Sequence, residues 1–290
     1  RRQTRMKLFI ISGRSGSGKS TVLESLEDHG YQCIDNLPVT LLHSLVEENL
    51  NREGAVTTQL AVCIDARSQS LQTFPEILQS LPLARKDRRV VYLDAKSPTL
   101  VKRFSETRRR HPLTSSNIDL RQAIDIEAQV LATIADLADL TIDTTQLTSQ
   151  QLKSQFVDRV LDHGSRNINL LFRSFGFKYG VPVDADFVFD LRCLPNPHWD
   201  QTLRNLSGLD QPVQDYLHSQ RMVNDMFDDI TRMLARWVPR FEANSRVYMT
   251  VAIGCTGGQH RSVYMAQRLA EQLSHDYDNV LVRHRELNRR

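Results

Sequence analysis

One stretch of sequence decides the fold of the first half of this chain: Gly13-Arg14-Ser15-Gly16-Ser17-Gly18-Lys19-Ser20. It matches the pattern G-x-x-x-x-G-K-[ST], and it lies between an apolar segment, residues 8–11, and a helical pattern over residues 21–27. The glycines of such a loop let backbone N–H groups turn inward around phosphate oxygens, and the following helix adds the positive end of its dipole. The stretch therefore predicts a phosphate-binding loop for a nucleoside triphosphate.

The chemistry of this loop gives two of its side chains a role. Lys19 is expected to reach the β- and γ-phosphates, and the Ser20 hydroxyl is expected to complete the shell of a magnesium ion. The expected cofactors are ATP or GTP with Mg2+, and no motif decides between the two bases. The residues predicted to bind the nucleotide are Gly13, Arg14, Ser15, Gly16, Ser17, Gly18, Lys19, Ser20 and Thr21.

Four apolar segments of the first half each end in aspartate, at Asp35, Asp65, Asp94 and Asp143. They alternate with helical patterns, which is typical of a parallel sheet covered by helices on both faces. One of these acids should hold magnesium beside Ser20, because such sheets bind ligands at the carboxyl ends of their strands. Asp65 ends the longest apolar segment after the loop and is the preferred catalytic and metal-binding acid, with Asp35 and Asp94 as alternatives. The helical patterns cover residues 41–52, 70–80, 98–109, 119–136 and 149–161.

A cluster of basic residues runs from Arg103 to His111, on a helical pattern that stops before Pro112. In P-loop kinases, arginines of a lid at this position clamp the transferring phosphoryl group. A solvated basic helix face gives the same pattern, so both interpretations stay open.

A second α/β domain is predicted from residue 164 onward, which divides the chain into domains 1–163 and 164–290. Apolar strands are predicted over residues 169–177, 186–192 and 248–254, and helices over residues 211–219, 221–237 and 262–273. The last strand and the last helix flank the loop 255–262, in which two glycines, a histidine and an arginine converge. This arrangement predicts a second anion-binding loop.

The same loop reads C-x-x-x-x-x-R-S from Cys255, which is the signature of cysteine-dependent phosphatases. Gly254 precedes the cysteine where those enzymes favour histidine, and no general-acid loop is evident. Binding of a phosphate or sugar phosphate without catalysis is the favoured interpretation, with a phosphatase and a purely structural turn as alternatives. His198, on a proline-rich loop, is a candidate for the same pocket.

Composition excludes several classes of protein. The chain has 290 residues, of which 40% are hydrophobic and 24% charged, and it has no apolar run of the roughly 20 residues that span a bilayer. Its four cysteines form no Cys-x-x-Cys pair, so neither a zinc site nor a disulfide framework is expected. We expect a cytoplasmic location, where cysteines stay reduced. The net charge of +3 neither requires nor excludes a nucleic-acid partner. From residue 164 onward the chain has fifteen arginines and one lysine, a composition that suits phosphate or RNA contacts.

Six motifs spread over nearly the whole chain together resemble the RapZ/YvcJ family of bacterial P-loop nucleotide-binding proteins. They are SGRSGSGKS (12–20), DNLP (35–38), TRRRHPL (107–113), FGFKYG (175–180), LPNPHW (194–199) and GCTGGQHRS (254–262).

The resemblance implies a kinase-like N-terminal domain that binds ATP or GTP and hydrolyses it slowly. It also implies a C-terminal domain that binds RNA and, in some members, senses glucosamine-6-phosphate. Those members deliver a small regulatory RNA to an endoribonuclease and form homotetramers. Carried over by position, the ligand pocket would use His198, Thr256, Gly257, His260 and Arg261.

This chain departs from the RNA-binding members in its last residues. The loop 275–279 is acidic where those members are basic, and the tail carries arginines instead of lysines. Because phosphate contacts dominate RNA affinity, weaker RNA binding is expected. The arginines predicted to contact RNA are Arg283, Arg285, Arg289 and Arg290.

The resulting hypothesis is a regulatory protein with weak nucleotide hydrolysis, since no glutamine, glutamate or unambiguous arginine stands out to orient water. A nucleotide-dependent switch suits such an activity. Two alternatives remain beside the phosphatase: a small-molecule or nucleotide kinase, and a sugar-phosphate sensor that contacts only proteins.

Overall fold

The chain divides into two compact units, Arg1–Asp162 and His163–Arg290. The computed structural model describes residues 5–51, 57–107, 110–115, 117–161, 168–244 and 246–287. The predicted domain boundary at residues 163 and 164 lies outside the described residues.

The first unit is built on a parallel sheet whose strand order is β2-β3-β1-β4-β5. The strand that leads into the phosphate loop therefore lies at its centre. The strands are β1 (Arg5–Gly13), β2 (Gln32–Ile34), β3 (Thr57–Cys63), β4 (Arg88–Asp94) and β5 (Leu140–Asp143). The helices are α1 (Lys19–Asp28), α2 (Leu42–Leu50), α3 (Phe74–Ser80), α4 (Ser97–Thr107), α5 (Leu120–Val130), α6 (Ala132–Asp136) and α7 (Ser149–Phe156).

The central strands have apolar side chains on both faces, so both faces of the sheet must be covered. Leu8 and Ile10 pack into a core with Val62 and Phe74, while Ile11, which points to the opposite face, is equally buried. Near-continuous apolar strands of this kind confirm the predicted parallel sheet with helices on both faces.

Two of the helices that the sequence predicts have different bounds in the structure. The pattern over 119–136 divides at Leu131 into α5 and α6, and the pattern over 149–161 ends as α7 at Phe156 before a π-helical turn, Val157–Leu161. Asp119 caps α5 with a reciprocal pair of hydrogen bonds to Gln122, which fixes the start of that helix.

The second unit contains another parallel sheet, with strand order β7-β8-β6-β9. Its two inner strands are buried along their whole length and carry the core. The strands are β6 (Asn169–Gly176), β7 (Phe187–Asp190), β8 (Tyr248–Cys255) and β9 (Val280–His284), and the helices are α8 (Gln211–His218), α9 (Arg221–Ala243) and α10 (Arg261–Leu273). This confirms the second α/β domain.

Strand β9 corrects the interpretation of the C-terminal segment as a basic tail. Residues Val280–His284 pair in parallel with β6, and Arg283 lies opposite Arg173 in the sheet. The run Val280-Leu281-Val282 is short, but it supplies the β-branched and apolar side chains that an edge strand needs.

Across the part of the chain that the structure describes, no helix is both long enough and apolar enough to cross a membrane.

Candidate phosphate-binding sites

The phosphate loop connects the end of β1 to the start of α1, as the sequence predicts. Gly13, Gly16 and Gly18 all have positive φ. A Cβ atom on Gly13 would come within 2.1 Å of the carbonyl oxygen of Leu93, so only glycine lets the loop leave the sheet so close to β4. The loop is thus shaped by its glycines, and its backbone is available to bind an anion.

Lys19 lies against the loop that it is predicted to serve. Its Nζ donates hydrogen bonds to the carbonyl oxygens of Gly13 at 2.7 Å and Arg14 at 3.2 Å. Ser20 follows in the first turn of α1 and is exposed. Both predicted side chains therefore lie at the N-terminus of α1, where phosphate oxygens are favoured.

The side chain of Arg14 has a structural role, although its backbone belongs to the loop. It is buried, and its Nε donates to Oδ1 of Asp94 at 2.7 Å. Its other nitrogens donate to the hydroxyl of Ser97 and the carbonyl oxygen of Ala95. These contacts anchor the loop to the end of β4.

The aspartates predicted at the strand ends do lie there, and each has protein partners. Asp65, just beyond β3, is buried, and both of its oxygens accept hydrogen bonds from Arg67. Asp94 ends β4 and holds Arg14, whereas Asp35 directly follows β2 and is exposed. The metal-binding role of Asp65 stays a prediction.

Two further residues complete the first site: Glu127 on α5, which sequence reasoning missed, and His111, which it named only as part of the basic cluster. Oε2 of Glu127 accepts the backbone N–H of Ser15 at 2.8 Å, and Oε1 accepts the Ser15 hydroxyl at 2.7 Å. Nε2 of His111 lies 3.0 Å from Oε2. Both side chains are fully buried. The phosphate loop thus has a carboxylate and an imidazole packed against its third residue.

The basic cluster contributes Arg103 to this site. Its Nη1 donates to the carbonyl oxygen of Gly16 at 2.9 Å and to the Thr144 hydroxyl at 3.1 Å. Arg110 bonds to Thr114 instead. Arg108 and Arg109, the other candidates for a lid, lie outside the described residues.

In the second unit, the loop between β8 and α10 is a turn closed around a thiol. Sγ of Cys255 accepts the backbone N–H of Gly258 at 3.2 Å and lies 3.1 Å from the Ser262 hydroxyl. Gly258 has φ +73°, and a Cβ atom there would come within 2.4 Å of Glu286. Gly257 differs: apart from its chain neighbours, a Cβ atom there would meet none of the described residues within 4 Å. The surface of Gly257 therefore faces open space.

The structure brings His198 close to the loop, as the resemblance implies. The ring centroids of His198 and His260 are 6.3 Å apart. Nε2 of His260 is buried and has no hydrogen-bond partner within the part of the chain that the structure describes, and burial lowers the pKa of this imidazole. An unsatisfied polar atom beside an open glycine surface suits a polar ligand.

The side chain of Arg261 mainly donates hydrogen bonds to other parts of the chain at this site. Its Nη1 donates to three carbonyl oxygens, those of Leu191, Arg192 and Leu194. Its Nη2 reaches the hydroxyl of Thr256 at 3.4 Å. The guanidinium thus fixes the loop after β7 against the loop after β8.

Of the four arginines predicted to contact RNA, two are described. Arg283 is exposed on β9, whereas Arg285 donates hydrogen bonds at 2.7 Å to the carbonyl oxygen of Gly180 and to Oε1 of Glu286. Arg289 and Arg290 lie outside the described residues. Arg285 is therefore occupied by intramolecular contacts.

Family models match both units of the chain. The RapZ-like N-terminal domain matches residues 6–164, and the RapZ C-terminal domain matches residues 168–288. A nucleotide-binding protein of Ectopseudomonas mendocina (strain ymp) is 54% identical over 98% of this chain and 100% of its own length. A nucleotide-binding protein of Hahella chejuensis is 51% identical over 97% of this chain and 99% of its own.

Two similar solved structures each cover about half of this chain. A shikimate kinase from Bacteroides thetaiotaomicron has 14% identity and a TM-score of 0.35, covering 54% of this chain and 99% of its own. The YorR protein from Bacillus subtilis, in complex with phosphorylated GDP, has 15% identity and a TM-score of 0.36, covering 52% of this chain and 94% of its own.

Proposed function

This chain belongs to the RapZ family, and from that premise we propose that its first unit binds ATP or GTP with Mg2+ and hydrolyses it slowly. The observation that carries the proposal is the loop geometry. Three glycines of positive φ turn the backbone around the N-terminus of α1, and Lys19 lies folded along the loop. Such an arrangement concentrates positive charge and N–H donors where phosphates bind.

Each part of the loop has a distinct task in binding. The backbone N–H groups orient the phosphates, and Lys19 neutralises their charge. Arg103 keeps the loop in shape through Gly16. The oxygen donors of Ser20 and Asp65 suit magnesium, which prefers oxygen ligands, although the ion pair with Arg67 already occupies Asp65. When bound, magnesium would supply further charge neutralisation.

A slow reaction fits a regulatory switch better than a metabolic kinase. The alternative of a kinase is tested by incubating the protein with labelled ATP or GTP and a panel of acceptors, including sugars and nucleoside monophosphates. Labelled phosphate released to water at a low rate supports the switch. Stoichiometric transfer to an acceptor would replace it with the kinase.

We also propose that the second unit binds a phosphorylated metabolite such as glucosamine-6-phosphate. The pocket would use His198, Thr256, Gly257, His260 and Arg261. The open surface of Gly257 and the unsatisfied Nε2 of His260 support this assignment. A cysteine phosphatase is disfavoured because Nη1 of Arg261 is taken up by three carbonyl oxygens. Turnover of a chromogenic phosphate ester that disappears in Cys255→Ser would reverse this choice.

The regulatory output that the family suggests is delivery of a small regulatory RNA to an endoribonuclease by a homotetramer. The exposed Arg283 and the arginine-rich composition of the second unit support an RNA contact. Crosslinking of the tagged protein in cells, followed by sequencing of the bound RNA, tests it. Enrichment of one or two structured small RNAs supports the adapter, whereas background RNA alone favours a metabolite sensor that contacts only proteins.

A further inference from the structure

The buried pair of Glu127 and His111 has a definite proton arrangement. Nδ1 of His111 accepts the backbone N–H of Leu113 at 3.1 Å, so the ring proton lies on Nε2. Nε2 therefore donates to Oε2 of Glu127. An imidazole that accepts at one nitrogen and donates at the other is neutral. His111 therefore adds no positive charge to the site.

Glu127 itself is charged. Burial alone raises the pKa of this carboxyl, but the hydrogen bonds from His111 and Ser15, together with the nearby Lys19 ammonium, outweigh burial and hold the pKa below its usual range. At neutral pH the pair therefore has a net charge of minus one, held without exposure to solvent against the phosphate loop.

This negative charge lies directly beside the loop that is proposed to bind phosphate. The carboxylate holds the N–H and the hydroxyl of Ser15, the third residue of the motif, and Lys19 influences the same carboxylate electrostatically. A protein anion thus shares the loop with any phosphate that enters it. Glu127 is shielded from water, and like charges repel more strongly in such surroundings than in bulk water.

We propose that Glu127 is an internal anion that opposes the terminal phosphate of a nucleotide and thereby sets the preference of this loop for diphosphate over triphosphate. The inference rests on the proposed nucleotide binding. His111 is a positioning residue in this arrangement, because it fixes the carboxylate from the side opposite Ser15. Release of the terminal phosphate after hydrolysis would relieve the repulsion, so the product state is the favoured one.

The test compares Glu127→Gln, which keeps the size of the side chain and removes its charge, with the wild type. Dissociation constants are measured by calorimetry for ATP, ADP, GTP and GDP with Mg2+. The ratio of the diphosphate constant to the triphosphate constant is expected to rise about tenfold in the variant. Asp136→Asn makes the same charge change at an exposed position of α6 and is expected to leave the ratio unchanged.

A structural role for Glu127 predicts a different result. If the variant weakens both nucleotides equally, or leaves the ratio within twofold of the wild type, the inference is overturned. A wild type that binds no nucleotide contradicts the proposed function instead, so the two failures are distinguishable.

A second measurement uses only the wild type, in case Glu127→Gln does not fold. The γ-methyl ester of ATP has one charge fewer on the terminal phosphate. The wild type is expected to bind this ester at least as tightly as ATP. Tenfold tighter binding of ATP would overturn the inference.

Discussion

Arg103 donates a hydrogen bond to the carbonyl oxygen of Gly16 at 2.9 Å, so that α4 supports the middle of the phosphate loop directly. The same guanidinium contacts the Thr144 hydroxyl, and Thr144 in turn donates to the carbonyl oxygen of Ser17 at 2.8 Å. Two adjoining segments of the first unit thus hold consecutive parts of the loop. The shape of the phosphate site depends on side chains outside the sequence motif.

Arg103→Ala is expected to weaken nucleotide binding about tenfold and to lower the free energy of unfolding by about 1–3 kcal/mol, because the buried Thr144 loses the donor to its hydroxyl and carbonyl oxygens. Calorimetric titration and thermal unfolding measure the two effects. Lys102→Ala is the matched control, since that side chain is exposed and its ion pair with Glu106 spans 3.8 Å. Equal effects of the two substitutions would show that Arg103 has no special role.

Gly257→Ala is expected to abolish binding of glucosamine-6-phosphate while the protein keeps its thermal midpoint. Beyond its chain neighbours, the added methyl group meets no described residue within 4 Å, so it extends into the space where the ligand is proposed to lie. Gly258→Ala is the contrasting variant, because its Cβ would collide with Glu286 and its φ is positive. It should lower the thermal midpoint. Unchanged ligand affinity in Gly257→Ala would remove Gly257 from the pocket.

Asp184→Asn is expected to destabilise the second unit by about 3–5 kcal/mol, because it breaks a buried ion pair. Nη1 of Arg173 lies 2.7 Å from Oδ1 and 2.9 Å from Oδ2 of Asp184, and neither side chain is appreciably exposed. Chemical denaturation measures the change. Asp229→Asn, which breaks an exposed pair with Arg232, should leave the midpoint unchanged. Similar midpoints for both variants would contradict the assignment.

Stability of the second unit is expected to fall on acidification because of His284. Burial, with a smaller contribution from Arg283, lowers the pKa of this imidazole from 6.5 to about 4. Between these values the unfolded chain binds a proton that the folded chain does not, so the free energy of unfolding falls as the pH falls. The loss amounts to roughly 1–2 kcal/mol after allowance for the exposed part of the ring.

His284→Gln should flatten this dependence between pH 6.5 and 4 in denaturation experiments. His275→Gln changes an exposed histidine and should leave the slope as in the wild type. An unchanged slope in His284→Gln would assign the acid sensitivity to other groups.

Substitutions of Arg283 and Arg285, the two described arginines of the predicted RNA contact, are expected to have different effects. Arg283→Gln is expected to lower RNA affinity and to reduce the slope of log affinity against log salt by about 1, as for the loss of one phosphate contact. Arg285→Gln is expected to lower the thermal midpoint, since it removes the bonds to Gly180 and Glu286. A reversed pattern would show that Arg285 contacts RNA and Arg283 does not.

The local patterns of the sequence predict much of this molecule because the phosphate loop and its flanking strand and helix are contiguous. The same holds for the loop from Cys255 to Ser262. Glu127 could not be predicted, since it lies 112 residues from Ser15 and a glutamate on an amphipathic helix normally faces solvent. Only the packing of α5 against the loop buries it.

Strand β9 and the position of His198 also depend on contacts that local sequence patterns do not show. Strand β9 has only three consecutive apolar residues, so its place in the sheet depends on the exposed edge of β6 that it covers. The motif LPNPHW (194–199) made His198 a candidate for the pocket, but the distance of 6.3 Å between its ring and that of His260 depends on how the proline-rich loop packs near the start of α10. Tertiary contacts decide both features.

The most direct test of the account is nucleotide binding by the wild type and by Lys19→Ala, measured by calorimetry with ATP and with GTP in the presence of Mg2+. We predict saturable binding of at least one nucleotide to the wild type and at least tenfold weaker binding to the variant, which is expected to remain folded at the temperature of the titration. Absence of binding to the wild type, or equal affinity of the two proteins, would contradict a nucleotide site at the phosphate loop.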